Sequence, residues 1–131
     1  MGAVSYLLDT HALLWWLFKD RRMSRRASAV VRDPSSQILV SSASAWEIAT
    51  KHRLGRLDDA APLIADFRGW MVEARFHELP IRSEHATRAG AWDVAHRDPF
   101  DRILAAQSVV EGVRLVSRDP VFEDFGIESL W

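Results

Sequence analysis

The sequence has no cysteine, which excludes disulfides, thiolate metal sites and cysteine nucleophiles. It also lacks an apolar run near the roughly 20 residues that a membrane-spanning helix requires. Its amino terminus has neither the basic segment nor the apolar segment of a secretory signal. We therefore expect a cytoplasmic protein that does not span a membrane.

Net charge is also nearly absent, since the formal value is −1 at pH 7. This balance argues against a protein that coats DNA by bulk positive charge. Lysine is scarce, however, because fifteen of the 17 basic residues are arginine, and several of these fall within residues 19–32. The arginine fork suits phosphate oxygens, so this segment is a candidate for binding phosphate; a solvated helix face is the alternative. The candidate residues are Arg21, Arg22, Arg25 and Arg26.

The chain is long enough for one core, and 48% of its residues are hydrophobic, so we expect residues 1–131 to form a single domain. Its apolar segments alternate between strand-like runs and helix-like spacing. The predicted strands are Val4–Leu8, 38–41, 76–79, 113–117 and 126–130. Predicted helices follow Asp9, cover 24–32, run from Ser44 to about Gly55, cover 62–73, run from a cap at Ser83 to about Gly90 or Ala95, and span Pro99–Glu111 behind the Asp98 cap. This alternation predicts an α/β fold with a mostly parallel sheet.

Acidic residues stand at the ends of these elements. Asp9 ends the first strand and Asp119 follows the strand 113–117, so a parallel sheet would place both at the same edge. Glu47 is predicted in the first turn of the helix that Ser44 opens, and Asp101 in the first turn of the helix that Asp98 caps.

Each acid also has a purely structural interpretation. Asp9, Asp98 and Asp119 are ordinary helix caps. Glu47 can pair with Lys51 four residues later as an exposed salt bridge. Taken together, however, three or four acids converging at one edge would repel each other unless a cation lay among them.

A divalent metal is the cation that fits these ligands. Oxygen donors without cysteine or paired histidines favour Mg²⁺ or Mn²⁺ over Zn²⁺. A carboxylate site of this kind suits phosphodiester hydrolysis by a metal-activated water, with no nucleophilic side chain. The hypothesis is that Asp9 and Asp101 hold the principal ion while Glu47 and Asp119 complete its surroundings.

Four segments of the chain carry a family resemblance. They are LLDTHALLWW (7–16), SSASAWEIATKHRLGRL (41–57), DPFDRILAAQ (98–107) and LVSRDPVFEDFG (115–126). Together they resemble the PIN domain, and specifically the ribonuclease toxins of the VapC family from VapBC toxin–antitoxin systems. The resemblance covers essentially the whole chain, and the first and third segments are the most specific.

The resemblance implies a three-layer α/β/α sandwich with a central, mostly parallel sheet. It implies a Mg²⁺- or Mn²⁺-dependent endoribonuclease that acts as the toxin of a type II system. It also implies a homodimer, inhibited by a cognate VapB-type antitoxin that inserts a segment toward the acidic pocket. The residues that match the family are the acidic quartet Asp9, Glu47, Asp101 and Asp119, the supporting hydroxyls Thr10 and Ser117, and the additional acid Asp98, assigned mainly as a helix cap.

Other functions remain open at this point. A non-cleaving PIN-fold module that binds RNA or protein is the main alternative, and a metal-dependent cleavage assay separates it from a nuclease. A phosphoacceptor receiver domain requires a lysine at the end of a later strand, and neither Lys19 nor Lys51 is so placed. An Asp-x-Asp phosphatase is disfavoured because His11 stands where the second Asp would be. Trp15 and Trp16 are adjacent, so one of them is a candidate for a partner surface or for the core boundary.

Overall fold

A computed structural model describes residues 4–131. The described chain contains a four-stranded sheet in the order β3-β2-β1-β4, with every neighbouring pair parallel. The strands are β1 (Val4–Leu8), β2 (Ser36–Ser41), β3 (His77–Leu79) and β4 (Arg114–Val116). The helices are α1 (Thr10–Leu17), α2 (Arg25–Arg32), α3 (Ser42–Arg53), α4 (Ala61–Ala65), α5 (Phe67–Ala74), α6 (Ser83–Ala91) and α7 (Pro99–Glu111), with short 3-10 helices at Asp58–Ala60 and Pro120–Phe125.

The sheet has a hydrophobic core on each face. Leu7 of β1 packs with Leu104 of α7 and with Phe122, whereas its neighbour Leu8 packs with Leu13 of α1 and Ile48 of α3. All six side chains are essentially buried. Successive strand residues point to opposite faces, so the adjacent buried residues Leu7 and Leu8 require cover on both sides of the sheet. The predicted three-layer α/β/α fold with a parallel sheet is confirmed.

The register of the sheet aligns the carboxyl ends of three strands. Leu8 pairs with Val40 on one side and with Val116 on the other. The backbone N–H of Asp9 continues this pairing, because it donates to the Val116 carbonyl at 3.1 Å. The residues that follow each strand therefore emerge together, and this edge positions the polar side chains described below.

The start of α3 differs from the sequence prediction. Ser41, and not Ser44, caps the helix: its Oγ accepts a hydrogen bond from the Ala43 N–H at 3.0 Å. The predicted capping box is therefore wrong, and Glu47 lies in the second turn, outside the first turn where the helix dipole acts most strongly. The capping serines of this Ser-rich segment are equivalent in propensity, and the end of β2 selects among them.

Two other predicted elements are also corrected. The predicted helix over 62–73 is divided into α4 and α5 at Asp66, whose carboxylate accepts from the Gly69 N–H at 3.1 Å and caps α5. The predicted strand over 126–130 is reduced to a single parallel bridge between Val116 and Leu130, because the first part of this segment closes the preceding 3-10 helix at Gly126. Among residues 4–131, none of the helices is long and apolar enough to cross a bilayer.

Candidate active site

An acid-rich cavity of about 180 Å³ lies where the aligned strands end. We call it the acidic pocket. It brings together six residues singled out from the sequence with two others; its lining residues are Asp9, Thr10, His11, Glu47, Lys51, Asp98, Asp101 and Asp119. Ser117, the remaining supporting residue, reaches the same site through its hydrogen bond to Asp9. The tertiary fold thus gathers acids separated by up to 110 positions in sequence.

Asp9 serves both as a helix cap and as a wall of the acidic pocket. Its Oδ1 accepts from the Ala12 N–H at 2.8 Å, and its Oδ2 accepts from the Ser117 hydroxyl at 2.5 Å. The Ser117 Oγ in turn accepts from the Asp119 N–H at 3.0 Å. Ser117 therefore links the end of β1 to the start of the turn that carries Asp119.

Glu47 is held from two sides and is only 4% exposed. Its Oε1 accepts from the Thr10 hydroxyl at 2.6 Å, and its Oε2 pairs with the Lys51 ammonium at 2.5 Å. Thr10 also shares a hydrogen bond of 3.0 Å with Ser44. The predicted Glu47–Lys51 pair exists, but it lies at the wall of the acidic pocket and not on an exposed helix face.

Asp101 and Asp98 both belong to the beginning of α7. Asp98 caps the helix through its Oδ1, which accepts from the N–H groups of Phe100 and Asp101 at 2.8 and 3.2 Å. Asp101 contacts His96, whose Nε2 lies 2.8 Å from its Oδ2. His96 thereby engages one oxygen of Asp101, while the other accepts no hydrogen bond from the described residues.

Burial and crowding make two of these carboxyls unusually weak acids. The pKa of Asp9 is raised to about 6, mainly because the carboxyl is buried. Hydrogen bonds from Ser117 and Ala12 lower it, and the negative charges of Asp119 and Glu47 raise it. Burial likewise raises the pKa of Asp101 to about 6, with added repulsion from Asp98 and Glu47. The acidic pocket therefore holds negative charge at a cost in free energy unless a cation joins it.

The donor atoms of the acidic pocket fit a hard divalent cation. They are carboxylate and hydroxyl oxygens, which Mg²⁺ and Mn²⁺ prefer. In the described chain, protein hydrogen bonds engage only one oxygen of Asp101 and only one of Asp119. The pKa values of Asp9 and Asp101 are raised, and a nearby cation would lower them. Lys51 offsets part of the negative charge of the acidic pocket through its ion pair with Glu47.

A second group of possible metal ligands lies elsewhere, between α6 and α7. One ligand atom each from Glu84, His85 and Glu111 falls within 4.8 Å of the others. However, the His85 Nδ1 accepts from the Arg82 N–H at 2.9 Å, so its proton sits on Nε2, which donates to Glu111 at 2.8 Å. The Arg82 guanidinium also pairs with Glu111. Both imidazole nitrogens are committed, so this cluster is a structural network.

Two depressions adjoin the acidic pocket and share residues with it. A depression of about 240 Å³ is lined by Asp9, His11, Trp15, Arg118 and Asp119 together with Pro120. A larger groove of about 560 Å³ continues past His11 and Trp15 to Arg22 and Arg56. A continuous surface therefore leads from the carboxylates toward basic side chains.

The four arginines predicted to bind RNA have different surroundings. Arg22 lines the large groove, where it pairs with Asp20 and lies 4.8 Å from the Trp15 ring centre. Hydrogen bonds from Arg22 lower the pKa of Asp20 to about 2. Arg21, Arg25 and Arg26 are exposed, the latter two in the first turn of α2.

Sequence reasoning did not assign Arg118 or His96 to the site. Arg118 lies 4.7 Å from the Trp15 ring centre. The two residues are about a hundred positions apart in sequence, so only the tertiary fold brings them together. The proximity of His96 to the DPFD segment was the only available signal for its contact with Asp101. Trp15 itself is 8% exposed and belongs to the core, and Trp16 packs at the core boundary, whereas Trp46 is 56% exposed.

Comparison with known proteins identifies the fold and the family of the chain. Ribonuclease VapC22 of Mycobacterium tuberculosis is 28% identical over 116 residues, which are 86% of this chain and 85% of that protein. The crystal structure of M. tuberculosis VapC20, a sarcin–ricin loop cleaving toxin, superposes with a TM-score of 0.70 at 16% identity, covering 95% of this chain and 98% of that one. A toxin–antitoxin complex from Klebsiella pneumoniae gives a TM-score of 0.59 at 20% identity, over 87% and 86% of the two chains. The PIN domain family matches residues 6–128, and the chain therefore belongs to the PIN domain family.

Proposed function

We propose that this protein is a Mg²⁺- or Mn²⁺-dependent endoribonuclease and the toxin of a type II toxin–antitoxin system, with residues 1–131 forming one PIN domain. The observation that carries the proposal is the convergence of Asp9, Glu47, Asp101 and Asp119 around one cavity at the carboxyl edge of the sheet. The ribonuclease VapC22 is a relative over most of both chains, which supports the same activity.

We assign the principal metal-binding role to Asp9 and Asp101. Glu47 and Asp119 complete the acidic surroundings, Thr10 and Ser117 orient the carboxylates that they contact, and Asp98 fixes the start of α7. A divalent cation held by Asp9 and Asp101 would supply activation of a water nucleophile and would neutralise charge on the scissile phosphate. The carboxylates alone would repel RNA, so the binding of flanking phosphates falls to basic residues outside the acidic pocket. Arg21, Arg22, Arg25 and Arg26 are the proposed residues from the α1–α2 region.

The test is cleavage of structured RNA by the purified protein with Mg²⁺, with Mn²⁺, and in excess EDTA. The nuclease proposal expects cleavage with either metal, none in EDTA, and recovery when metal is restored. Binding of RNA without cleavage under every metal condition would instead identify a non-cleaving PIN module.

We further propose a homodimer and an inhibitory VapB-type antitoxin as partners. Solved structures of this fold include toxin–antitoxin complexes, which supports a protein partner of this kind. Exposed Trp46, whose ring packs edge-on against Phe100 with centres 4.7 Å apart, offers an apolar contact area beside α7. Light scattering of the purified chain tests the dimer, and loss of RNA cleavage on adding the product of a neighbouring small gene tests the antitoxin. As a ribonuclease it would act in the cytoplasm, where its RNA substrate is found.

A further inference from the structure

Arg118 is exposed and lies over an aromatic ring with uncommitted donors, as Arg32 and Arg88 do, but it alone of the three lines a cavity together with Asp9 and Asp119. Arg102 donates to four backbone carbonyls, Arg82 pairs with Glu84 and Glu111, and Arg22 pairs with Asp20. Within residues 4–131, no carboxylate lies within 4 Å of the Arg118 guanidinium, and no protein acceptor takes a hydrogen bond from it.

Trp15 supplies the support that holds Arg118. The guanidinium lies 4.7 Å from the Trp15 ring centre, at the distance of a cation–π contact. Trp15 is itself fixed, because it is 8% exposed and packs edge-on against Trp131 with ring centres 5.6 Å apart. The side chain of Arg118 is thus positioned by an aromatic face that leaves its N–H groups available.

The position of Arg118 relates it directly to the acidic pocket. It lines the 240 Å³ depression together with Asp9 and Asp119, both of which also line the acidic pocket. An arginine beside two carboxylates ordinarily forms an ion pair, and Arg118 does not. A cationic fork next to an acidic metal site is complementary to a phosphate group, which brings its own negative charge.

We propose that Arg118 binds a phosphate of the RNA backbone adjacent to the scissile phosphate and thereby positions the substrate over the acidic pocket. This inference rests on the proposed ribonuclease function. Trp15 orients Arg118. Arg22 lies over the same ring and pairs with Asp20 at 2.8 Å, whereas Asp20 acts on Arg118 only beyond ion-pair distance. Arg118 therefore contributes more to RNA binding than Arg22 does.

The experiment measures RNA binding separately from cleavage. A fluorescently labelled single-stranded RNA of mixed sequence is titrated in EDTA with the wild type, Arg118→Gln, Arg118→Lys and the control Arg114→Gln. Arg114 is exposed and lies at the opposite end of the segment that leads to Arg118, so its replacement removes the same charge away from the pocket. Thermal unfolding of each variant checks that the fold is retained.

We expect Arg118→Gln to weaken RNA binding about tenfold and to reduce the slope of log affinity against log salt by about 0.7, the value for one lost contact to a single strand. Arg118→Lys should keep the salt slope but recover only part of the affinity, since lysine lacks the planar fork. Arg114→Gln should change affinity by less than about threefold. With Mg²⁺, Arg118→Gln should raise KM for RNA cleavage and leave kcat nearly unchanged.

Wild-type affinity and salt slope in a folded Arg118→Gln variant would overturn the inference, as would an equal loss in Arg114→Gln. A loss of affinity for a co-purifying antitoxin with unchanged RNA affinity would assign Arg118 to the protein interface and would also overturn it. Failure of the wild type to bind RNA in EDTA counts against it too, even where cleavage with Mg²⁺ is observed. Conversely, absent cleavage under all metal conditions refutes the nuclease function without changing the metal-free binding result.

Discussion

The acidic pocket and the α6–α7 cluster contain similar residue types but opposite electrostatics. In the cluster, Glu111 is surrounded by donors: hydrogen bonds from His85 and Arg82 lower its pKa. In the acidic pocket, burial and neighbouring carboxylates raise the pKa values of Asp9 and Asp101 to about 6. The ligand atoms of the cluster are close enough to suggest a metal, yet its charges are already balanced within the protein.

The difference shows how a site for a cation can be distinguished from a stabilising network. Proximity of acids and histidine is common to both regions. What separates them is charge balance: Arg82 pairs with both acids of the cluster, whereas Lys51 pairs with Glu47 alone among the five acids that line the acidic pocket. The cluster stabilises the fold by itself, whereas the ionised forms of Asp9 and Asp101 disfavour the metal-free fold, a cost that a bound cation would offset.

The largest expected effect is on activity, and it separates the two regions. Asp101→Asn should reduce RNA cleavage by about a thousandfold or more, because metal stabilisation of transition-state charge is worth several kcal/mol. Glu111→Gln, the control from the cluster, should cleave RNA at nearly the wild-type rate. Single-turnover cleavage with Mg²⁺ measures both. Full activity of Asp101→Asn would remove the basis for assigning the two regions different roles.

The second effect is the pH dependence of activity. Protons compete with the metal once Asp9 and Asp101 begin to protonate, so Mg²⁺-dependent cleavage should fall as the pH drops through about 6. If both carboxylates must be ionised, the limiting loss approaches about a hundredfold per pH unit. Raising the Mg²⁺ concentration should move the profile to lower pH. A profile that stays flat down to about pH 5, with the fold intact by circular dichroism, would contradict the raised pKa values.

The third effect is on stability, and its sign is unusual for a buried polar residue. The folded-state pKa of Asp9 is raised, so the ionised carboxylate disfavours the fold once the pH exceeds the unfolded value of about 4, and the penalty is complete above about pH 6. Asp9→Asn keeps an oxygen for the Ala12 N–H and removes the charge. It should raise the free energy of unfolding at neutral pH by up to about 3 kcal/mol.

Urea unfolding in EDTA at about pH 7.5 and about pH 4 checks this prediction. The gain should be present at the higher pH and absent at the lower one. A loss of stability at both values would mean that hydrogen bonding by the Asp9 carboxylate outweighs its desolvation.

The smallest predicted effect is a loss of stability when the α6–α7 cluster is altered, opposite in sign to the gain expected for Asp9→Asn. Because the pKa of Glu111 is lowered, its contribution to stability is present above the unfolded pKa and is lost as the pH falls through the folded value. Glu111→Gln should therefore lower the free energy of unfolding by about 1 kcal/mol at neutral pH. The same urea experiment measures it. Stabilisation by Glu111→Gln would place the cluster in the same class as the acidic pocket.

The sequence correctly predicted the bounds of a helix where the residues at its ends determine where it starts and stops. The helix α7 was bounded correctly because Asp98 and Pro99 define its start and Gly112, in the left-handed conformation at φ 65°, defines its end. The start of α3 was missed because several serines could cap it, and only the end of β2 decides that Ser41 does so. The extended segment after Gly126 was overestimated because strand pairing depends on a partner that local sequence does not specify.

The features of the site also divide into those that local sequence predicts and those that depend on tertiary packing. The alignment of Asp9 with Asp119 could be anticipated, because a parallel sheet brings strand ends to one edge and both residues follow strands. The contacts of Glu47 with Thr10 and of Arg118 with Trp15 could not, since each joins side chains far apart in sequence through the packing of helices on the sheet. Spacing alone also could not show that His85 is fully hydrogen-bonded.

The central claim is that the carboxylates of the acidic pocket hold a divalent cation. The most direct measurement is anomalous diffraction from crystals of the protein equilibrated with Mn²⁺. We predict an anomalous peak in contact with Asp9 and Asp101, lost in Asp101→Asn crystals. A peak at Glu84 and Glu111 instead, or none at any Mn²⁺ concentration at which the protein cleaves RNA, would contradict the account.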